Sequence, residues 1–110
     1  MKKFIVIYNA PAEAMAKMST ATPAEKEAGM KMWMDWKAKV GNTIVDFGAP
    51  LMPGQVTNAG GNWSNAGTEV SGYSILQGES QGAVQALLHD HPHLQWHPNA
   101  TIAIHEVIPM

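Results

Sequence analysis

The chain has 110 residues, 45% of them hydrophobic and 15% charged, with no cysteine and a formal net charge of −2. That length fits one domain, residues 1–110, and the missing cysteines exclude disulfides, thiolate metal sites and thiol nucleophiles. All seven lysines precede Val40 and there is no arginine, so the guanidinium forks that read phosphates and bases are missing and no nucleic-acid partner is expected.

Lys3 to Tyr8 is an apolar, β-branched run closed by Asn9-Ala10-Pro11, which predicts a buried first strand. Its apolar part is too short for an export signal, and no run approaches the ~20 apolar residues of a membrane span. A cytoplasmic location without membrane contact is the expectation. Ala12 to Met18 predicts a short helical turn. Thr22-Pro23-Ala24-Glu25 is a stronger start, with a capping hydroxyl, proline at the first helical position and an acid to close the capping box. That helix should run to about Val40, where Gly41-Asn42 offers a terminating residue. Met30, Trp33, Met34, Trp36 and Val40 share one side of it, an arc of roughly 200° expected to pack on a sheet and at a subunit contact. Lys37 falls within this arc and is expected to snorkel to water.

Thr43 to Gly48 predicts a second strand, closed by Ala49-Pro50, and Gln55 to Asn58 a short third. Ala59 to Gly67, rich in glycine and asparagine, reads as a mobile hairpin or loop. Tyr73 to Gln77 is the next strand. Ser80 can cap a helix from Gln81 to about Asp90, with Pro92 stopping it, and Thr101 to Ile108 alternates as a final strand. Strands interleaved with two helices in βαββαβ order predict an α+β, ferredoxin-like, two-layer sandwich. Helices would cover one sheet face. The other face needs a partner, and a second copy is the simplest one; a chain this short, burying only about two-thirds of its unfolded surface, gains from such pairing.

Several segments resemble the YCII-related family: Lys2-Lys3-Phe4, Met32-Trp33-Met34-Asp35-Trp36, Val45-Asp46-Phe47-Gly48-Ala49-Pro50-Leu51, Gly72-Tyr73-Ser74-Ile75-Leu76-Gln77, His91-Pro92-His93-Leu94 and Ala103-Ile104-His105-Glu106-Val107. They span almost the whole chain in order. The resemblance implies a dimeric α+β barrel in which two ferredoxin-like sheets face each other around a cleft, and an enzymatic role through a histidine–aspartate pairing there. The Asp-Gly-Pro-Phe motif of many family members is missing; the region reads Trp63-Ser64-Asn65-Ala66-Gly67-Thr68-Glu69-Val70. No role attached to that aspartate carries over.

Acid–base chemistry needs a titratable group in a cleft and a partner that orients it. His105 alternates with Ala103 and Val107, opposite Ile102, Ile104 and Ile108, so it faces the cleft if the isoleucines meet the helices. Asp46 is the carboxylate best placed to join it, and the two are the candidate catalytic residues. Tyr8, Tyr73 and His93 are candidates for binding a substrate. For each of these five, a packed or hydrogen-bonded structural role is the alternative. His91, His93 and His97 form the one candidate metal set, although no helical H-x-x-x-H supports it. Trp63 and Trp96, in expected loops, would cover a pocket mouth or a subunit contact. The leading reading is a cofactor-free enzyme acting on a small organic molecule. A non-catalytic ligand-binding or regulatory module, or a metal-binding protein, are the other two.

Overall fold

The computed structural model describes residues 1–66 and 69–110; Gly67, the last residue of the expected Gly/Asn-rich loop, and Thr68 lie outside the described residues. Strand β1 (Lys2–Asn9) leads into helices α1 (Ala12–Ser19) and α2 (Pro23–Val40), a single 3₁₀ turn (Gly41–Thr43) and strand β2 (Ile44–Pro50). Short strands β3 (Gln55–Thr57) and β4 (Trp63–Asn65) follow. Then come β5 (Val70–Gly78), α3 (Gln81–Leu88), α4 (Pro92–Trp96) and β6 (Thr101–Glu106).

Four strands make the main antiparallel sheet in the order β2-β5-β1-β6, while β3 and β4 pair only with each other as an arm. This is the ferredoxin-like order, with α1–α2 and α3–α4 as the two crossovers. The expected third strand therefore exists, but it belongs to the arm. Its partner β4 gives the expected loop a structured hairpin.

Why α2 forms is explicit in its first turn. The Thr22 hydroxyl accepts from the Glu25 amide at 3.1 Å and the Glu25 carboxylate accepts from the Thr22 amide at 3.2 Å, so two orphan donors are satisfied reciprocally. At the other end Gly41 takes φ +58°. The face that packs is narrower than the expected arc. Trp36 and Val40 are buried and Trp33 is half-buried, whereas Met30 is 58% and Met34 45% exposed. The buried stripe centres on Trp36–Val40 and leaves both methionines on its margin. Pro92 also departs from expectation: α3 ends earlier, at Leu88, and Pro92 opens α4 at a position where its missing N–H costs nothing.

The core lies between the sheet and the helices. Phe4, Val6 and Tyr8 of β1, Leu76 of β5, Trp36 and Val40 of α2, and Val84 and Leu88 of α3 form it. Ile102 and Ile104 of β6 pack against it, which meets the condition under which His105 faces away from the helices. Period-two alternation then sends the intervening residues to the far face. There Ile5, Ile7, Tyr73, Ile75 and Ala103 are half-buried, and no element among the described residues is laid over them. No helix among the described residues is long and apolar enough to cross a membrane.

Candidate functional site on the open sheet face

Cross-strand register places the polar groups of the open face. Asp46 pairs with Ile75, Ile75 with Ile5, and Ile5 with His105. Directly paired residues share a face, so these four form one row running across the sheet from edge to edge. Asp46 and His105 are thus on the same face, but they stand at its opposite edges. Three strand spacings of about 4.8 Å separate them by roughly 14 Å. Within one chain they do not meet.

Asp46 is held by the local fold. Strand β2 is irregular on both sides of it, with Gly48 at φ +79° in the second irregularity. A Cβ at Gly48 would fall 1.7 Å from the Tyr73 carbonyl oxygen, so only glycine permits this approach. The turn lets the Gly48 amide donate to Asp46 Oδ1 at 2.8 Å, and the Tyr73 hydroxyl donates to Asp46 Oδ2 at 3.3 Å. A bulge that re-aims a side chain at a strand edge is a recurrent feature of sites. Tyr73 therefore lies beside a candidate catalytic carboxylate, and the sequence points to both without linking them. The signal that links them is the period-two register around Gly48, which only the paired structure reveals.

Tyr8 is not part of this face. It points into the core with Phe4 and Val6 and is 2% exposed. Its hydroxyl donates to Ser74 Oγ at 2.9 Å, and Ser74 donates to the Phe47 carbonyl at 2.7 Å. Burial pushes the phenol up to about 12, so it stays protonated. The relay fixes β1, β5 and the irregular part of β2 together beneath Asp46.

His91 and His93 are likewise interior. His91 is completely buried against the rings of Tyr8, Trp33 and Trp36, at centroid distances of 5.0, 4.5 and 4.3 Å. Its Nδ1 accepts from the His93 amide at 2.9 Å and caps α4. That leaves Nε2 as the protonated nitrogen, with no oxygen or nitrogen partner. The steep ring angles, 62° to Trp36 and 81° to Trp33, suit an N–H donor directed at aromatic faces. Burial drives its pKa down to about 3. His93, also lowered by burial, sets Nε2 2.8 Å from the Asn9 carbonyl. His97 turns elsewhere: Nε2 lies 3.2 Å from the Glu13 carboxylate and Nδ1 accepts from the Asn99 amide. The three candidate metal ligands do not converge, and no group of three or more possible ligands occurs among the described residues. His93, 3% exposed, is packed in the interior rather than on the open face.

Two shallow grooves occur on the helical side. One of about 250 Å³ is lined by Met32, Asp35, Trp36, Lys39, Asp90 and Gln95. Its charges are already paired: Lys39 Nζ lies 2.6 Å from Asp90 and holds that carboxyl below the usual range, and Asp35 is bound by Lys31 at 2.8 Å. The second is bounded by Leu88, His89, Leu94 and two of the β6 isoleucines. Neither carries a convergent set of polar groups. Lys37 does not simply reach water: its ammonium lies 5.0 Å from the Phe47 ring centroid. Trp96 leans on His93, with ring centroids 5.7 Å apart, whereas Trp63 of β4 is 65% exposed.

Fold and site together define a two-layer α+β domain of ferredoxin-like strand order, carrying a carboxylate–phenol pair on an uncovered sheet face. No protein-family model matches the chain, and no curated protein does. Among solved structures, it is similar to 5-chloro-2-hydroxyhydroquinone dehydrochlorinase (TftG) from Burkholderia phenoliruptrix AC1100, in complex with 2,5-dihydroxybenzoquinone. The TM-score is 0.46 and the identity 15%, covering 94% of this chain and 91% of that one.

Proposed function

We propose that the chain is a YCII-like homodimer whose two open sheet faces enclose a cleft for a small organic molecule, with acid–base chemistry at Asp46. The observation that carries this is the Tyr73–Asp46 hydrogen bond, set on a half-buried apolar face of Ile5, Ile7 and Ile75. A carboxylate held by a backbone amide and a phenol has one geometry and a defined proton partner, which is what a general base needs. An apolar floor with few oriented polar groups is the usual make-up of a small-molecule site. The family resemblance of the sequence supports the face-to-face pairing. His105, on the same face, is a further titratable group available to the cleft. Nothing in this reading calls for an organic cofactor, a nucleic acid or a membrane, and the expected cytoplasmic residence accords with it.

The test is a metabolite screen for saturable thermal stabilisation and turnover, repeated with Asp46→Asn, Tyr73→Phe and His105→Ala after each is shown to fold. The reading predicts a ligand whose turnover is abolished in Asp46→Asn. Full binding and turnover in all three variants would remove the site from the open face.

A further inference from the structure

The row Asp46–Ile75–Ile5–His105 has an acid at one edge and an imidazole at the other. We infer that each site is completed across the dimer: Asp46 and Tyr73 of one protomer face the partner subunit's His105, with the two-fold axis running along the strands between β1 and β5. This rests on the face-to-face pairing proposed above and adds its orientation and the origin of each side chain.

Symmetry selects this orientation. A two-fold interface is self-complementary, so each group meets whatever the rotation brings opposite it. Rotation about an axis along the strands exchanges the sheet edges and sets the β2 edge of one protomer over the β6 edge of the other. Asp46 then meets an imidazole twice over. Rotation about an axis along the row keeps the edges in place and sets Asp46 on Asp46, a like-charge contact that disfavours pairing. Lys3 discriminates in the same sense. On the open face it pairs with Gln77, and the strand-parallel axis sets it against the partner subunit's Gln77, an acceptor for its ammonium.

The dimensions agree. Packed sheets lie about 10 Å apart, a gap that an imidazole from one side and a carboxylate from the other span together. Packed sheets also rotate by about 30° relative to one another. At an edge strand about 7 Å from the axis that moves the row by about 4 Å, close to one residue's rise, so the pairing survives the twist. It also explains why Asp46 and His105 share a face and a row yet cannot touch within one chain.

The cysteine-free background allows a direct test. Asp46→Cys and His105→Cys proteins are prepared separately, mixed to exchange subunits, and treated with a short bis-maleimide. The proposal predicts covalent dimers in the mixture, at least fivefold above those formed by either variant alone. Efficient 46–46 and 105–105 links with no mixed product would overturn the orientation and leave the face-to-face dimer standing. No covalent dimer in any sample, with the protein monomeric, would overturn the dimer and the pairing together. Because these substitutions remove the paired groups, the wild-type protein supplies a second measurement. In a dimer of one isotope-labelled and one unlabelled chain, isotope-filtered NOEs should connect the His105 ring to the partner's Tyr73 ring. Their absence in a dimeric sample would overturn the proposal.

Discussion

Ser74→Ala and Tyr8→Phe each remove one oxygen from the same buried relay, yet they should differ severalfold in cost. Tyr8→Phe takes away a donor, but Ser74 still donates to the Phe47 carbonyl. The loss is one net hydrogen bond, about 0.5–1.5 kcal/mol. Ser74→Ala leaves the Tyr8 hydroxyl, 2% exposed, with no acceptor, at about 1–3 kcal/mol, and also removes the donor to Phe47, about 1 kcal/mol more. Ser74→Ala should therefore cost roughly 2–4 kcal/mol, the larger effect. The decisive comparison is the double variant. In the Ser74→Ala background Tyr8→Phe deletes a stranded hydroxyl, so it should be neutral or stabilising, opposite in sign to its effect in the wild type. Urea unfolding followed by tryptophan fluorescence at fixed protein concentration would read this, with a constant m value as the control. Additive losses in the double variant would refute the coupling, and with it the claim that the relay anchors the irregular strand beneath Asp46.

Gly48→Ala should lower stability by at least about 2 kcal/mol, about 1 from the positive φ and the rest from the backbone clash with Tyr73; an unchanged urea midpoint would contradict the close approach. Between about pH 6.5, the usual histidine value, and the value of about 3 that burial gives folded His91, the unfolded chain holds a proton that the folded chain excludes. His91 thus contributes stability in full above about pH 6.5 and loses it as pH falls, by up to about 1.4 kcal/mol per pH unit. Urea midpoints of wild type and His91→Leu at neutral and mildly acidic pH should show a shallower pH slope in the variant. Lys37→Ala should cost about 0.5–1 kcal/mol through its contact with Phe47, whereas Lys37→Arg should restore most of it; equal losses in both would point to packing of the stem.

Much of the fold was legible because local signals agreed. Thr22, Pro23 and Glu25 specify the start of α2 within a four-residue window, and the alternation in β6 puts Ile102 and Ile104 on the face opposite His105. What failed needed information from across the chain. A wide apolar arc on α2 does not say where its centre lies, so it groups Met30 and Met34 with Trp36 and Val40 although both sit at the margin of the stripe that packs on the sheet. His91 and His93 belong to a polar-looking segment, and their burial depends on rings from β1 and α2, distant in sequence. Tyr8 could have been placed correctly from Phe4 and Val6 alone, since period two puts all three on one side. The Asp46–Tyr73 pair depends on the register of β2 against β5, which Gly48 distorts.

A second copy covering the open sheet face is tested most directly by sedimentation equilibrium of the wild-type protein at micromolar concentration. A mass about twice the 11.9 kDa of one chain is the predicted result. A single-chain mass at every concentration would contradict it.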